Sequence, residues 1–75
     1  MPELPREDWS KLTQNHKWAL EILSNATDAT IEPEARAMMH AMHDLWRFGF
    51  ADRKFKPMRY QITSLGRRAA SEVLS

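Results

Sequence analysis

Residues 45–67 read Leu45-Trp46-Arg47-Phe48-Gly49-Phe50-Ala51-Asp52-Arg53-Lys54-Phe55-Lys56-Pro57-Met58-Arg59-Tyr60-Gln61-Ile62-Thr63-Ser64-Leu65-Gly66-Arg67. The local order changes three times within them. No Gly, Pro or polar turn cluster interrupts 34–48, so a helix runs to Gly49, which suits the left-handed residue just past a C-cap. Phe50–Phe55 and Met58–Ile62 then read as two short strands with Lys56-Pro57 at the turn. The second alternates Met58, Tyr60 and Ile62 cleanly against Arg59 and Gln61. The first sets Phe50, Asp52 and Lys54 against Ala51, Arg53 and Phe55, a poorer alternation. An isolated hairpin is marginal in water, so this one must pack on helices. Thr63 is a good N-cap for a last helix, Ser64 to about Leu74, with Leu65, Ala69 and Val73 facing inward. Gly66 in its first turn costs up to about 1 kcal/mol against Ala. The usual compensation is close approach of another backbone.

Upstream, Asp8–Ser24 carries Trp9, Leu12, His16, Ala19, Leu20 and Leu23 at spacings of three and four, the mark of one buried helical stripe. Trp18 and Ile22 widen it, and Thr13 is a place where the helix can break and be capped anew. Asn25–Thr30 is small and polar and reads as a loop. The next helix is expected to start near Pro33, with Thr30 or Glu32 as cap and Glu34 in the first turn. Its apolar stripe is Ala35, Met38, Met39, Met42, Leu45 and Trp46. Arg36, His40, His43 and Arg47, at intervals of four, three and four, share another face.

The expected class is therefore mainly α with one small β-hairpin (α+β): three helices and a two-stranded wing. Residues 1–7 form a lead-in, and 8–75 form one domain. Few strands suit a chain with only four Val or Ile residues. With no Cys, disulfides and thiolate metal sites are excluded. No apolar run approaches the roughly 20 residues of a membrane span. Residues 1–6 lack the pattern of a signal peptide, and the cytoplasm is the expected location.

Net charge is only +1, but it is unevenly spread. Within 47–68, seven basic residues face one acid, Asp52, a local +6. That suits either an anionic partner or a solvated face on which charges cluster.

Two segments, Leu45 to Arg53 and Tyr60 to Arg67, resemble the winged helix-turn-helix domains of the MarR-like and PadR-like kind. In those families the recognition helix ends in Leu, and a Gly with a large apolar residue opens the wing. The second wing strand ends in a Thr that caps a helix carrying Gly-Arg. Leu12 to Leu20 resembles the family's opening helix. The resemblance covers roughly residues 12–74 and departs at one point. The family has a short helix and a tight turn before its recognition helix, and only Asn25–Glu32 is left for them here. Either 33–39 is that short helix, or one long helix replaces both; the uninterrupted 34–48 favours the second.

What the resemblance implies is a small DNA-binding transcriptional regulator of bacterial or phage type. Arg36, His40, His43 and Arg47 would face the major groove, where Arg pairs with guanine and His meets base edges. Lys54, Lys56 and Arg59 at the wing would meet the backbone, although exposed hairpins also carry such residues to discourage edge pairing. Arg67, in a first turn where the helix dipole disfavours cations, is a further candidate. Such domains usually act as dimers, here through a first helix bearing Trp9 and Trp18. The alternative is a protein-interaction module, adaptor or inhibitor, on a degenerate scaffold of the same type, with those Trp residues as anchors. No enzyme is expected, since no nucleophile–base pair or phosphate-cradling loop is present. No cofactor is expected either. His40 and His43 with Asp44 or His16 make a poor metal set. His16 on an apolar stripe reads as a packed, hydrogen-bonded histidine, and the Met residues as core filler.

Overall fold

A computed structural model describes residues 4–26 and 29–74. A 3₁₀ helix, Arg6–Lys11, is followed by α1 (Gln14–Asn25), α2 (Arg36–Arg47), β1 (Ala51–Lys54), β2 (Arg59–Ile62) and α3 (Ser64–Val73). The class is as expected: mainly helical, with one antiparallel hairpin in the register Ala51↔Ile62, Asp52↔Gln61, Arg53↔Tyr60 and Lys54↔Arg59. α1 packs on α2, α3 and β2, while β1 lies on α2.

The segment read as one helix from Asp8 to Ser24 is two. The chain leaves the 3₁₀ helix at Leu12, and Thr13 caps α1, accepting from the His16 N–H at 3.2 Å. The break turns Trp9 into the core, where it is 3% exposed, stacks edge-on to Phe50 at 5.5 Å and donates from Nε1 to the Leu4 carbonyl. Leu4 in turn donates its N–H to the Phe48 carbonyl at 3.2 Å. Of the lead-in 1–7, residues 4–7 thus belong to the folded unit, and 1–3 lie outside the described residues. The expected loop at 25–30 includes 27 and 28, which also lie outside them.

α2 begins at Arg36 rather than near Pro33, with Ala35 as an extended N-cap that makes no side-chain bond. The cause lies elsewhere in the chain. Ile31 exchanges both backbone hydrogen bonds with Tyr60, at 2.7 and 2.8 Å, adding a one-residue bridge beside β2. The backbone must leave that bridge before it can coil. Ala35, expected inside, is exposed, and Glu34 precedes the first turn. A single uninterrupted helix over 36–47 matches the long-helix reading.

The end of α2 follows the sequence closely. Phe48 is the C-cap, Gly49 has φ 89°, the Gly49 N–H donates to the Trp46 carbonyl, and the Phe50 N–H to the Leu45 carbonyl. This paired 5→2 and 6→1 pattern is a Schellman motif, and its accompanying apolar pair is Leu45 and Phe50, both fully buried. Thr63 caps α3 through the Gly66 N–H at 2.9 Å and donates its hydroxyl to the Gly49 carbonyl at 2.8 Å. One side chain therefore locks the start of the last helix onto the end of α2. The core between these elements is Leu20, Leu23, Met42, Leu45, Phe50 and Tyr60, all fully buried.

Candidate nucleic-acid interface

At 100° per residue, Arg36, His40, His43 and Arg47 fall within roughly 60° of arc and span about 16 Å of axis. Arg36, His40 and Arg47 are exposed, and His43 is half-buried. The opposite face, Met38, Ala41, Met42 and Leu45, is buried. The core thus fixes which way the polar stripe points.

The hairpin is joined to this stripe by a residue the sequence reading passed over. Arg53 lies opposite Tyr60, on the same face as the buried Ala51–Ile62 pair. A charged side chain there must turn along the helix to reach solvent. Its guanidinium lies 3.7 Å from the centroid of Trp46 and 4.9 Å from that of Phe55, a cation held between two aromatic rings. Its Nη1 donates to His43 Nδ1 at 3.3 Å, because a guanidinium has no acceptor to offer. The alternation of β1 gave the only signal of this. Arg53 stands where the pattern calls for an apolar side chain.

Lys54, Lys56 and Arg59 all come to the free end of the hairpin. Lys54 and Arg59 sit directly opposite each other, an arrangement that like charges oppose. Lys56 has φ 59°, in the left-handed region where Gly or Asn is the ordinary choice. Arg59 also has a local task, donating from Nη1 to the Pro57 carbonyl at 3.0 Å and to that of Phe55 at 3.5 Å. Asp52 points to the outer face opposite Gln61. Arg67 is placed differently. It lines a groove with Ser24, Ala70, Ser71 and Leu74 where α1 meets α3, so it joins neither the stripe nor the hairpin tip.

Asp44 on α2 bonds His16. The Thr13 N–H donates to His16 Nδ1 at 3.2 Å, which leaves the proton on Nε2, 2.9 Å from Asp44 Oδ2. His16 is thereby a packed, hydrogen-bonded residue closing a capping box. Among the described residues no group of three His, Cys, Asp or Glu side chains is placed to hold a metal ion. None of their helices is long and apolar enough to cross a membrane. Of the two Trp residues expected to offer an interface, Trp9 is buried by the break at Thr13 and only Trp18 is exposed, at 47%.

No known family model, curated protein or solved structure matches this chain.

Proposed function

We propose that this chain is a small non-enzymatic DNA-binding protein of the winged-helix type, a transcriptional regulator acting in the cytoplasm. α2 lies in the major groove with Arg36, His40, His43 and Arg47 toward base edges. Lys54, Lys56 and Arg59 meet phosphates. The observation that carries this reading is continuity. Arg53, stacked on Trp46 and bonded to His43, joins the exposed face of α2 to the cationic hairpin. Crowding cations at the tip, with Lys54 directly opposite Arg59, is unfavourable in the isolated protein. An anionic partner offsets it.

The test is a mobility-shift series with purified protein and duplexes drawn from a random pool, at rising salt. With about five phosphates neutralised, log K falls against log salt with a slope near −4 to −5. Arg47→Glu weakens binding strongly. Absence of retardation at low salt for every duplex ends the proposal.

A second reading has one observation in its favour. Trp18, Ile22, Ile31, Pro33 and Met38 line a groove of about 300 Å³, with Glu32 and Glu34 at its edge. An exposed Trp beside an apolar groove suits a protein partner. Capture of a stoichiometric partner that is lost on Trp18→Ala and indifferent to DNA would favour this interaction module.

A further inference from the structure

Phe55 is the most exposed of the large apolar side chains described, at 62%. It lies where the hairpin turns, between Lys54 and Lys56 in the chain. Its ring is not isolated. The Arg53 guanidinium beside it also touches Trp46 and His43, so Phe55 stands at the edge of the same continuous surface as the α2 stripe. The Arg59 guanidinium holds the Phe55 and Pro57 carbonyls from the other strand, which stiffens the backbone that presents the ring.

An apolar knob with a cationic collar asks for a partner that offers an apolar slot between anionic groups. Duplex DNA offers this at a base step, where two stacked bases lie between two phosphate rows. Apolar side chains inserted from the minor groove unstack such steps and kink the helix, most readily at flexible pyrimidine–purine steps. We infer that Phe55 is a wedge that enters a base step beside the groove read by α2, with Lys54 and Lys56 on the flanking phosphates, and that the protein bends its DNA. This rests on the DNA-binding reading of the same surface and adds to it a deformation of the duplex and a preference for deformable steps.

The experiment uses duplexes selected by the full chain from a random pool, with 2-aminopurine replacing adenine at pyrimidine–adenine steps and a donor–acceptor dye pair at the two ends. Wild-type protein retards the duplex, raises the 2-aminopurine fluorescence at one step and shortens the end-to-end distance. Phe55→Ala keeps the wild-type circular dichroism, loses the fluorescence rise and the shortening, and binds roughly tenfold more weakly, as expected for loss of one aromatic–base contact. Phe55→Trp retains both signals. Retardation by the wild type without unstacking or bending overturns the wedge while leaving DNA binding intact. Absence of retardation removes the DNA-binding reading and the wedge with it. Binding to vesicles of anionic phospholipid that depends on Phe55, with no duplex retarded, overturns the wedge and assigns the knob to a lipid surface instead.

Discussion

The carbonyl oxygen of Phe50 lies 2.0 Å from where a β-carbon on Gly66 would stand. This contact sets how closely α3 approaches the start of the hairpin, and the same carbonyl accepts the Thr63 N–H at 3.1 Å. In an exposed helix, Gly to Ala is stabilising by roughly 1 kcal/mol. Here Gly66→Ala forces backbone against backbone, and the Ile62 Cγ1 at 2.8 Å gives no room on the other side. Destabilisation of about 3 kcal/mol is expected, as for overpacking that moves main chain. Urea unfolding followed by circular dichroism measures it, and a stabilised variant would show that α3 is not held at this distance.

His16 closes the capping box of α1 and reaches Asp44 on α2 with the same ring. His16→Ala removes both bonds and leaves the Thr13 N–H without its partner. The expected loss is about 1–2 kcal/mol. Gln at the same position supplies the usual capping-box acceptor but not both contacts at once, so His16→Gln should fall between Ala and wild type. Equal stabilities for all three proteins would refute the bridging role.

Arg53 holds β1 to α2 by stacking on Trp46 as well as by its hydrogen bond to His43. Lysine keeps the charge without the planar fork. Arg53→Lys is therefore expected to lower stability by about 0.5–1 kcal/mol and to increase amide exchange in the hairpin. Thermal unfolding and hydrogen exchange report the two effects. Unchanged exchange in 51–62 would mean that the hairpin is anchored by Ala51, Tyr60 and Ile62 alone.

Lys56 separates stability from function. With φ 59°, its backbone favours glycine, so Lys56→Gly is expected to leave stability within about 0.5 kcal/mol of wild type or to raise it. The proposed interface loses one cation, and the salt slope of DNA binding should become shallower by about 1. A mobility-shift titration at several salt concentrations decides this. An unaltered slope takes Lys56 out of the phosphate contacts.

Tyr60 is the single tyrosine of the chain and is fully buried. Burial disfavours the phenolate and raises its pKa above the ordinary 10.0, against the opposing attraction of Arg53. Below the unfolded value the phenol is protonated in both states and contributes no pH dependence. As pH rises through that value and on through the higher folded one, the unfolded chain loses its proton first, and folding stability falls. The phenolate absorbance should thus appear at higher pH in the native protein than in urea. Coincident titrations would contradict the burial.

Much of the fold could be read in order along the chain because the signals act over three to five residues. Gly49 ends α2, Thr13 and Thr63 cap α1 and α3, Gly66 marks a close backbone approach, and the stripes of α1 and α2 name most of the core. The side chains of the α2 face were legible for the same reason, since helical spacing alone puts positions 36, 40, 43 and 47 together.

Other features needed partners far away in sequence, and no local pattern encodes them. The start of α2 was delayed to Arg36 by the bond pair between Ile31 and Tyr60. Trp9 was taken from a supposed interface into the core by Phe50 and the Leu4 carbonyl. Arg53 became the link between helix and hairpin only once Trp46 and His43 lay beneath it, and Arg67 went to the α1–α3 groove because α3 packs there. Periodicity and capping chemistry specify what each segment is. Which segments meet, and hence which charges share a surface, is set by the packing of one core against all its faces at once.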